Sequence, residues 1–363
     1  VLRWDNSMII TTIRSHVNAI LRSYSELFFI RSRYTGLFLL TIGFLSPQSA
    51  LSALISVISA YIFAYFIRFD RSFLESGFYT YNALLVGFSI GSLFKLTPMT
   101  GLLICISGVF TFILTIVLSQ VFSYYLNVHI LSIPFVIVSS LIYLATASYS
   151  NLFVQLSKPL VTYDAIPFLP IWINGFLTSL GAILFMPSPV TGLMIFIILI
   201  FFSRIMAILG LVGYVVGTII TAYFTGSFAS VFSDINNFNY ILVAIALGSI
   251  YLVPSIKNYL IALIGVSITT IFVAAVKVFW SYYGIPVFTL PFNMVTLLFV
   301  YFLSQLKVVE RPLIYKATPE ETLDHYLSAK NRFKGSPVSI GLPFQGEWMV
   351  WQGFDGDWTH QGK

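Results

Sequence analysis

The chain has 363 residues, of which 58% are hydrophobic and 9% charged, with a net charge of +6 and a mean hydropathy of +0.91. Soluble domains carry about 25% charged residues, so a soluble globular enzyme is excluded and a polytopic membrane protein is expected. The single cysteine, Cys105, excludes an intrachain disulfide and any multi-cysteine metal site. The modest positive charge fits loops at an anionic membrane surface, and no basic cluster is interleaved with recognition residues in the manner of a nucleic-acid binder.

The first stretch, up to about residue 35, carries arginines throughout and no small-residue cleavage site, so it reads as an interfacial helix leading into the first span rather than a cleaved signal. Apolar runs of span length or slightly less follow near 36–67, 82–96, 99–124, 129–147, 166–186, 191–224, 240–254, 258–280 and 287–306. The first is interrupted at Ser46-Pro47-Gln48-Ser49. The first and the sixth are each long enough for two elements, and others are too short to cross alone. About ten spans plus half-helices are expected.

Three pairs of segments recur at nearly constant spacing. "YNALLVGFSIGS" (81–92) aligns with "FNYILVAIALGS" (238–249), and "ILSIPF" (130–135) with "VFTLPF" (287–292), both at an offset of 157 residues. "SELFFIRSRYTGL" (25–37) aligns with "GAILFMPSPVTGL" (181–193) at an offset of 156. Their collinearity indicates duplication, with a first repeat over 15–160 and a second over 161–306. Five spans per repeat would turn the second copy upside down in the membrane, the arrangement that places a functional site at the midplane on a pseudo-two-fold axis. The fold expected is therefore all-α, two inverted five-span repeats with broken pore helices, followed by a short soluble segment. Pro134 and Pro291 would break helices there and free carbonyls as acceptors, where irregular backbone lines a cavity.

Titratable groups within the spans are few: Glu26, Lys277, Arg204 and His129. A proton- or ion-coupled carrier needs a chain of such groups, which makes it the weakest reading. Glu26 is either an interfacial residue paired with Arg22 or Arg31, or an acceptor at a pathway mouth. His129 reads as structural, since no partner ligand lies near it in sequence. Repeat-related hydroxyls stand at Ser132 and Thr289, and repeat-related flat side chains at Phe29 and Phe185, Tyr81 and Phe238, Leu85 and Leu242. Each alone is ordinary core. Together, two apolar faces with acceptors along an edge suit a small, flat, neutral molecule rich in N–H donors.

These residues resemble the urea transporter family. "IPVFTLPF" (285–292) is similar to its LPxxTxPF signature, "VHILSIPF" (128–135) is a degenerate second copy, and "SGFYTYNALLVG" (76–87) and "LRSYSELFF…YTGLFLL" are similar to two further blocks. The resemblance covers roughly residues 15–306. It implies a homotrimer of ten-span protomers in the lipid bilayer, each passing urea down its gradient with no cofactor. It further implies slots formed by Phe29, Tyr81 and Leu85 in one half and by Phe185, Phe238 and Leu242 in the other. Leu27 and Ile183 lie beside the slots, Ser132 and Thr289 at the midpoint, and Glu26 at one Gln/Glu position. The second Gln/Glu position is Ala182, which puts selectivity over ammonia and short amides in question.

Beyond Leu306 the composition becomes charged. A helix is predicted from Thr318-Pro319-Glu320-Glu321, with proline in the first turn and acids at the positive end of the dipole. The glycine- and tryptophan-rich end reads as partly β. It is similar to the leading edge of LytM or lysostaphin-type zinc endopeptidase domains fused to some bacterial urea transporters, which implies a bacterial cytoplasmic membrane. Residues 307–363 contain only His325 and His360 and no H-x-H pair, so no peptidase activity is expected of this chain. The alternative from a different class is a membrane-anchored cell-wall hydrolase whose catalytic residues lie beyond Lys363.

Overall fold

A computed structural model describes residues 6–30, 32–70, 74, 76–126, 128–154, 166–306, 312 and 316–331, with side chains from residue 16 to 330. It divides into one unit spanning residues 1–326 and a second spanning 327–363. Of the second unit only 327–331, the end of its entering helix, is described. The segment expected to be partly β and similar to a peptidase domain lies outside the described residues. Among the described residues no strand is formed beyond one isolated bridge between Phe94 and Val154.

The first half contains α1 (Asn6–Glu26), α2 (Arg33–Gly43), α3 (Pro47–Phe66), α4 (Tyr81–Leu93), α5 (Pro98–Val121) and α6 (Ile133–Thr146). The second contains α7 (Ile171–Ala182), α8 (Pro189–Phe202), α9 (Arg204–Thr225), the short α10 (Phe228–Phe232), α11 (Phe238–Ile245), α12 (Ile256–Ser281) and α13 (Leu290–Gln305). The 36–67 run divides at Ser46, and the 191–224 run at Ser203. Prolines open α3, α5 and α8 at the first turn, where a missing N–H costs nothing. Ser203 and Ser255 accept the amides of Met206 and Asn258 and so start α9 and α12. The predicted tail helix is α14 (Pro319–Asn331), started by Thr318, whose hydroxyl accepts the Glu321 amide.

Four helices among the described residues are long and apolar enough to cross a membrane: α3, α5 with its π-helical extension to Leu126, α9 and α12. Six shorter apolar segments accompany them. Large apolar side chains such as Ile62, Leu102, Ile208 and Ile271 face outward. In water such a surface would be a liability. On a chain of this composition it is the surface offered to lipid, and the protein is an integral membrane protein. Inside, small residues let helices approach closely: α3 buries Ser49, Ser52, Ala53, Ser56 and Ala60 against α4 and α5.

The same helix pairs pack in each half: α1 on α2 as α7 on α8, and α3 on α4 as α9 on α11. Two pairs of sequence-related elements, α2 with α8 and α6 with α13, also touch one another. The last turns of α1 are core, with Tyr24 fully buried and Ser23 hydrogen-bonded to Thr80 at 2.7 Å.

The prolines act differently from expectation. Pro134 and Pro291 lie in the first turns of α6 and α13, where no bond to the residue four back is due. They open those helices and do not break them. The interruption before each is made by a residue in left-handed backbone, Leu131 (φ 54°) and Phe288 (φ 49°).

Candidate functional site

A cavity of about 310 Å³ is bounded by both halves of the chain. All eleven sequence-predicted residues line it: Glu26, Leu27, Phe29, Tyr81, Leu85 and Ser132 from the first half, and Ile183, Phe185, Phe238, Leu242 and Thr289 from the second. Its volume is at the low end for ligand pockets, which suits small molecules and excludes polymers.

The walls are placed by backbone geometry. Phe29 and Phe185 end the turns after α1 and α7 in left-handed backbone, at φ 58° and 59°. Each turn is closed by matching bonds, from Ile30 N to Ser25 O at 3.2 Å and from Met186 N to Gly181 O at 3.1 Å. Left-handed backbone costs a residue with a Cβ about 1–2 kcal/mol. Among the described residues five non-glycines adopt it, and four of them, Phe29, Leu131, Phe185 and Phe288, line this cavity. Backbone strain of this kind clusters at functional sites.

What holds it is an asparagine in each half. Asn82, in α4, donates from Nδ2 to the Leu131 carbonyl at 3.3 Å and accepts the Phe135 amide at 3.3 Å. Asn239, in α11, does the same for the Phe288 carbonyl at 3.2 Å and the Phe292 amide at 3.1 Å. Each side chain spans a left-handed residue and satisfies a first-turn N–H of the following helix, a group with no partner inside its own helix.

At the centre the related hydroxyls meet: Ser132 Oγ and Thr289 Oγ1 are 2.7 Å apart. Asn293 completes the cluster, accepting the Ser132 amide at 3.2 Å and hydroxyl at 3.1 Å and donating to Thr289 Oγ1 at 3.3 Å. Aromatic rings flank it, with Phe135 on Phe185 at 5.9 Å and, related by the repeat, Phe292 on Phe29 at 6.3 Å.

Several lining residues escape sequence reasoning. Phe135 and Phe292 sit inside the quoted proline motifs, and their presence in both copies was a usable signal. Leu131 and Phe288 had none, because their importance is conformational. Asn82 and Asn239 were visible as the one amide shared by the two "YN" and "FN" copies.

A second cavity of about 80 Å³ shares Glu26, Phe29, Tyr81 and Leu131 with the first, then runs past His129 and Tyr251 to Lys316–Pro319 and Thr322. A third, of about 580 Å³, joins Glu26 to Arg22, Ser119, Ser123 and His129. Glu26 lines all three openings. The lining of the first cavity also includes Asn236, Gly284 and Pro286. Lys277 is no buried cation: it pairs with Asp234 at 2.7 Å with its side chain 57% exposed. Arg204 is likewise exposed.

Glu320 anchors the segment over the second cavity. Its Oε1 accepts from the Ser203 hydroxyl and the Ile205 amide, both at 3.0 Å, at the positive end of α9. Glu320→Ala should loosen this docking by about 0.5–2 kcal/mol, the range for a lost helix cap. Hydrogen exchange at the Ile205 amide should speed up accordingly, while the amides of α12 keep their rates.

The described residues form helices with a lipid-facing apolar surface around a narrow, largely apolar cavity whose lining carries hydroxyls, an arrangement of transporter type. The sequence profile described as "Urea transporter" matches residues 17–304, and the chain belongs to that family. Among curated proteins it is similar to urea transporter 1 of Rattus norvegicus, 26% identical over 336 residues covering 88% of this chain and 85% of that protein. Urea transporter 1 of Capra hircus is 25% identical over 340 residues, covering 89% and 86% respectively.

Proposed function

We propose that the chain is a channel-type passive urea transporter, with the solute crossing the 310 Å³ cavity between apolar walls and hydrogen-bonding to oxygens along its edge. The observation that carries this is the contact between Ser132 and Thr289 at the centre of a cavity whose walls come in repeat-related pairs. The architecture we infer is two inverted five-span repeats. In its support, the ends of α1 and α7 and the starts of five further helix pairs are separated by 156–158 residues, and related elements touch. A planar solute without charge needs no ion partner to cross such a path, and selectivity comes from its width and its lining acceptors. The homotrimer and the bacterial cytoplasmic membrane implied by the resemblance belong to the same proposal. The setting rests on the tail's likeness alone.

A second reading, a pore that also admits ammonia or short amides, is favoured by Ala182. It faces the cavity at the position related to Glu26 and supplies no side-chain acceptor there. In proteoliposomes, urea entry followed by stopped-flow light scattering should be well above protein-free vesicles. Thr289→Val, which keeps shape and removes the hydroxyl, should lower urea entry roughly fivefold to tenfold, the value of about one hydrogen bond. Wild-type entry no faster than empty vesicles, with folded and inserted protein, would remove urea as the solute.

A further inference from the structure

One difference between the two halves of the chain falls beside the central hydroxyls. The residue related to Asn293 is Val136, so the hydroxyl pair receives an amide from one side only. Building on the channel reading, we infer that Asn293 is a positioning residue that makes the central hydroxyls acceptors only, and thereby sets the pore's preference for solutes that present N–H donors.

The Ser132 amide points at one end of the Asn293 side chain. An N–H must meet an oxygen, which fixes that end as Oδ1 and turns Nδ2 toward Thr289 Oγ1. Thr289 Oγ1 therefore already accepts one hydrogen. If Thr289 donates its own to Ser132, and Ser132 donates to Asn293 Oδ1, the three side chains close a ring in which both hydroxyl hydrogens are used. The opposite direction between the hydroxyls leaves the Thr289 hydrogen without a partner at a residue that is 9% exposed, in an apolar-walled cavity. An unmade buried hydrogen bond disfavours that arrangement by roughly fivefold to more than a hundredfold. In the closed ring each hydroxyl keeps one spare lone pair and offers no hydrogen. A solute that arrives with N–H groups is received. One that arrives with a carbonyl or hydroxyl oxygen must first open the ring.

Leu131, Phe135, Phe288 and Phe292, the cavity-lining residues next to the pair or one turn away along the chain, supply no competing side-chain donor. Without Asn293 the two hydroxyls can share only one hydrogen between them. The other is released, and the centre becomes a mixed donor and acceptor.

The test compares urea with acetamide, which has the same planar shape with one NH₂ replaced by methyl, in proteoliposomes containing the full chain. Asn293→Val, which installs the residue of the related position, should lower the urea-to-acetamide permeability ratio about fivefold. Asn293→Asp should keep the ratio at or above wild type. As a carboxylate it accepts from both hydroxyls, and as a neutral acid it donates to Thr289 as the amide does. Ser132→Ala should itself lower the ratio, and adding Asn293→Val to it should change the ratio less than twofold, because the ring is already open. A wild-type ratio in Asn293→Val, an equal loss of both solutes, or Asn293→Asp behaving as Asn293→Val would overturn the inference. If Asn293→Val does not fold, an unchanged ratio in Ser132→Ala overturns it. Absence of urea flux through the wild-type chain would instead sink the channel reading on which it rests.

Discussion

Replacing Asn82 or Asn239 by leucine should cripple both stability and transport, by similar amounts. Leucine keeps the branching of the side chain and is somewhat larger, so the change deletes hydrogen bonds without opening a cavity. Asn82→Leu leaves the Leu131 carbonyl and the Phe135 amide without the partner they have now. Asn239→Leu does the same to the Phe288 carbonyl and the Phe292 amide. Both asparagines are fully buried, so water cannot take over. Each orphaned group costs about 1–3 kcal/mol, so each substitution should cost roughly 2–6 kcal/mol. That loss falls on the two residues already holding left-handed backbone, and relaxing them would pull Ser132 away from Thr289. We expect a clearly lower Tm in detergent for each variant, and urea flux reduced by more than tenfold in the fraction that folds. Asn→Asp at either position should be intermediate, since it retains the acceptor for the phenylalanine amide and loses the donor to the carbonyl. If either leucine variant keeps wild-type Tm and flux, the clamp is not what holds the centre.

The repeat spacing, the interruption at Ser46-Pro47 and the positions of the walls were legible because they are patterns of side-chain type. Apolar runs delimit helices, and collinear motifs give the pairing of Phe29 with Phe185 or Ser132 with Thr289 without any knowledge of structure. The features that hold those residues in place were not legible, because they depend on conformation. Nothing about leucine at 131 or phenylalanine at 288 announces positive φ. The prolines drew attention to these two turns for the wrong reason, since a proline three residues past the turn marks a helix start as readily as a break. Lys277 looked like an intramembrane cation because the run of residues around it is apolar. Its long side chain instead reaches Asp234 at an exposed end. Asn293 illustrates a different limit: a residue without a counterpart in the other repeat falls outside any argument from symmetry.

The second large effect is expected at Gly36 and Gly192. These positions are related by the repeat and lie in the "TGL" shared by both copies. At each, the helix carrying the glycine crosses the preceding helix backbone to backbone. A Cβ on Gly36 would fall deep inside contact distance of the Leu21 carbonyl, and one on Gly192 inside that of the Leu177 carbonyl. A flexible side chain could move aside, but a helical carbonyl cannot, so the helices themselves must separate. Gly36→Ala and Gly192→Ala should therefore each cost about 3 kcal/mol, the upper end of the overpacking range, despite alanine being the better helix former. Gly101→Ala is the control: its Cβ meets nothing within 4 Å, and it should be neutral or raise stability by up to about 1 kcal/mol. Thermal unfolding in one detergent decides between them, and equal Tm values for all three would refute the close-crossing argument. The consequence extends to transport, because these crossings set where α1 and α7 end, and those ends carry Glu26, Phe29, Ala182 and Phe185 into the cavity. A separation of α7 from α8 moves the Phe185 wall against the fixed centre at Thr289. Gly192→Ala protein that still inserts should thus pass urea more slowly than its folded fraction alone accounts for.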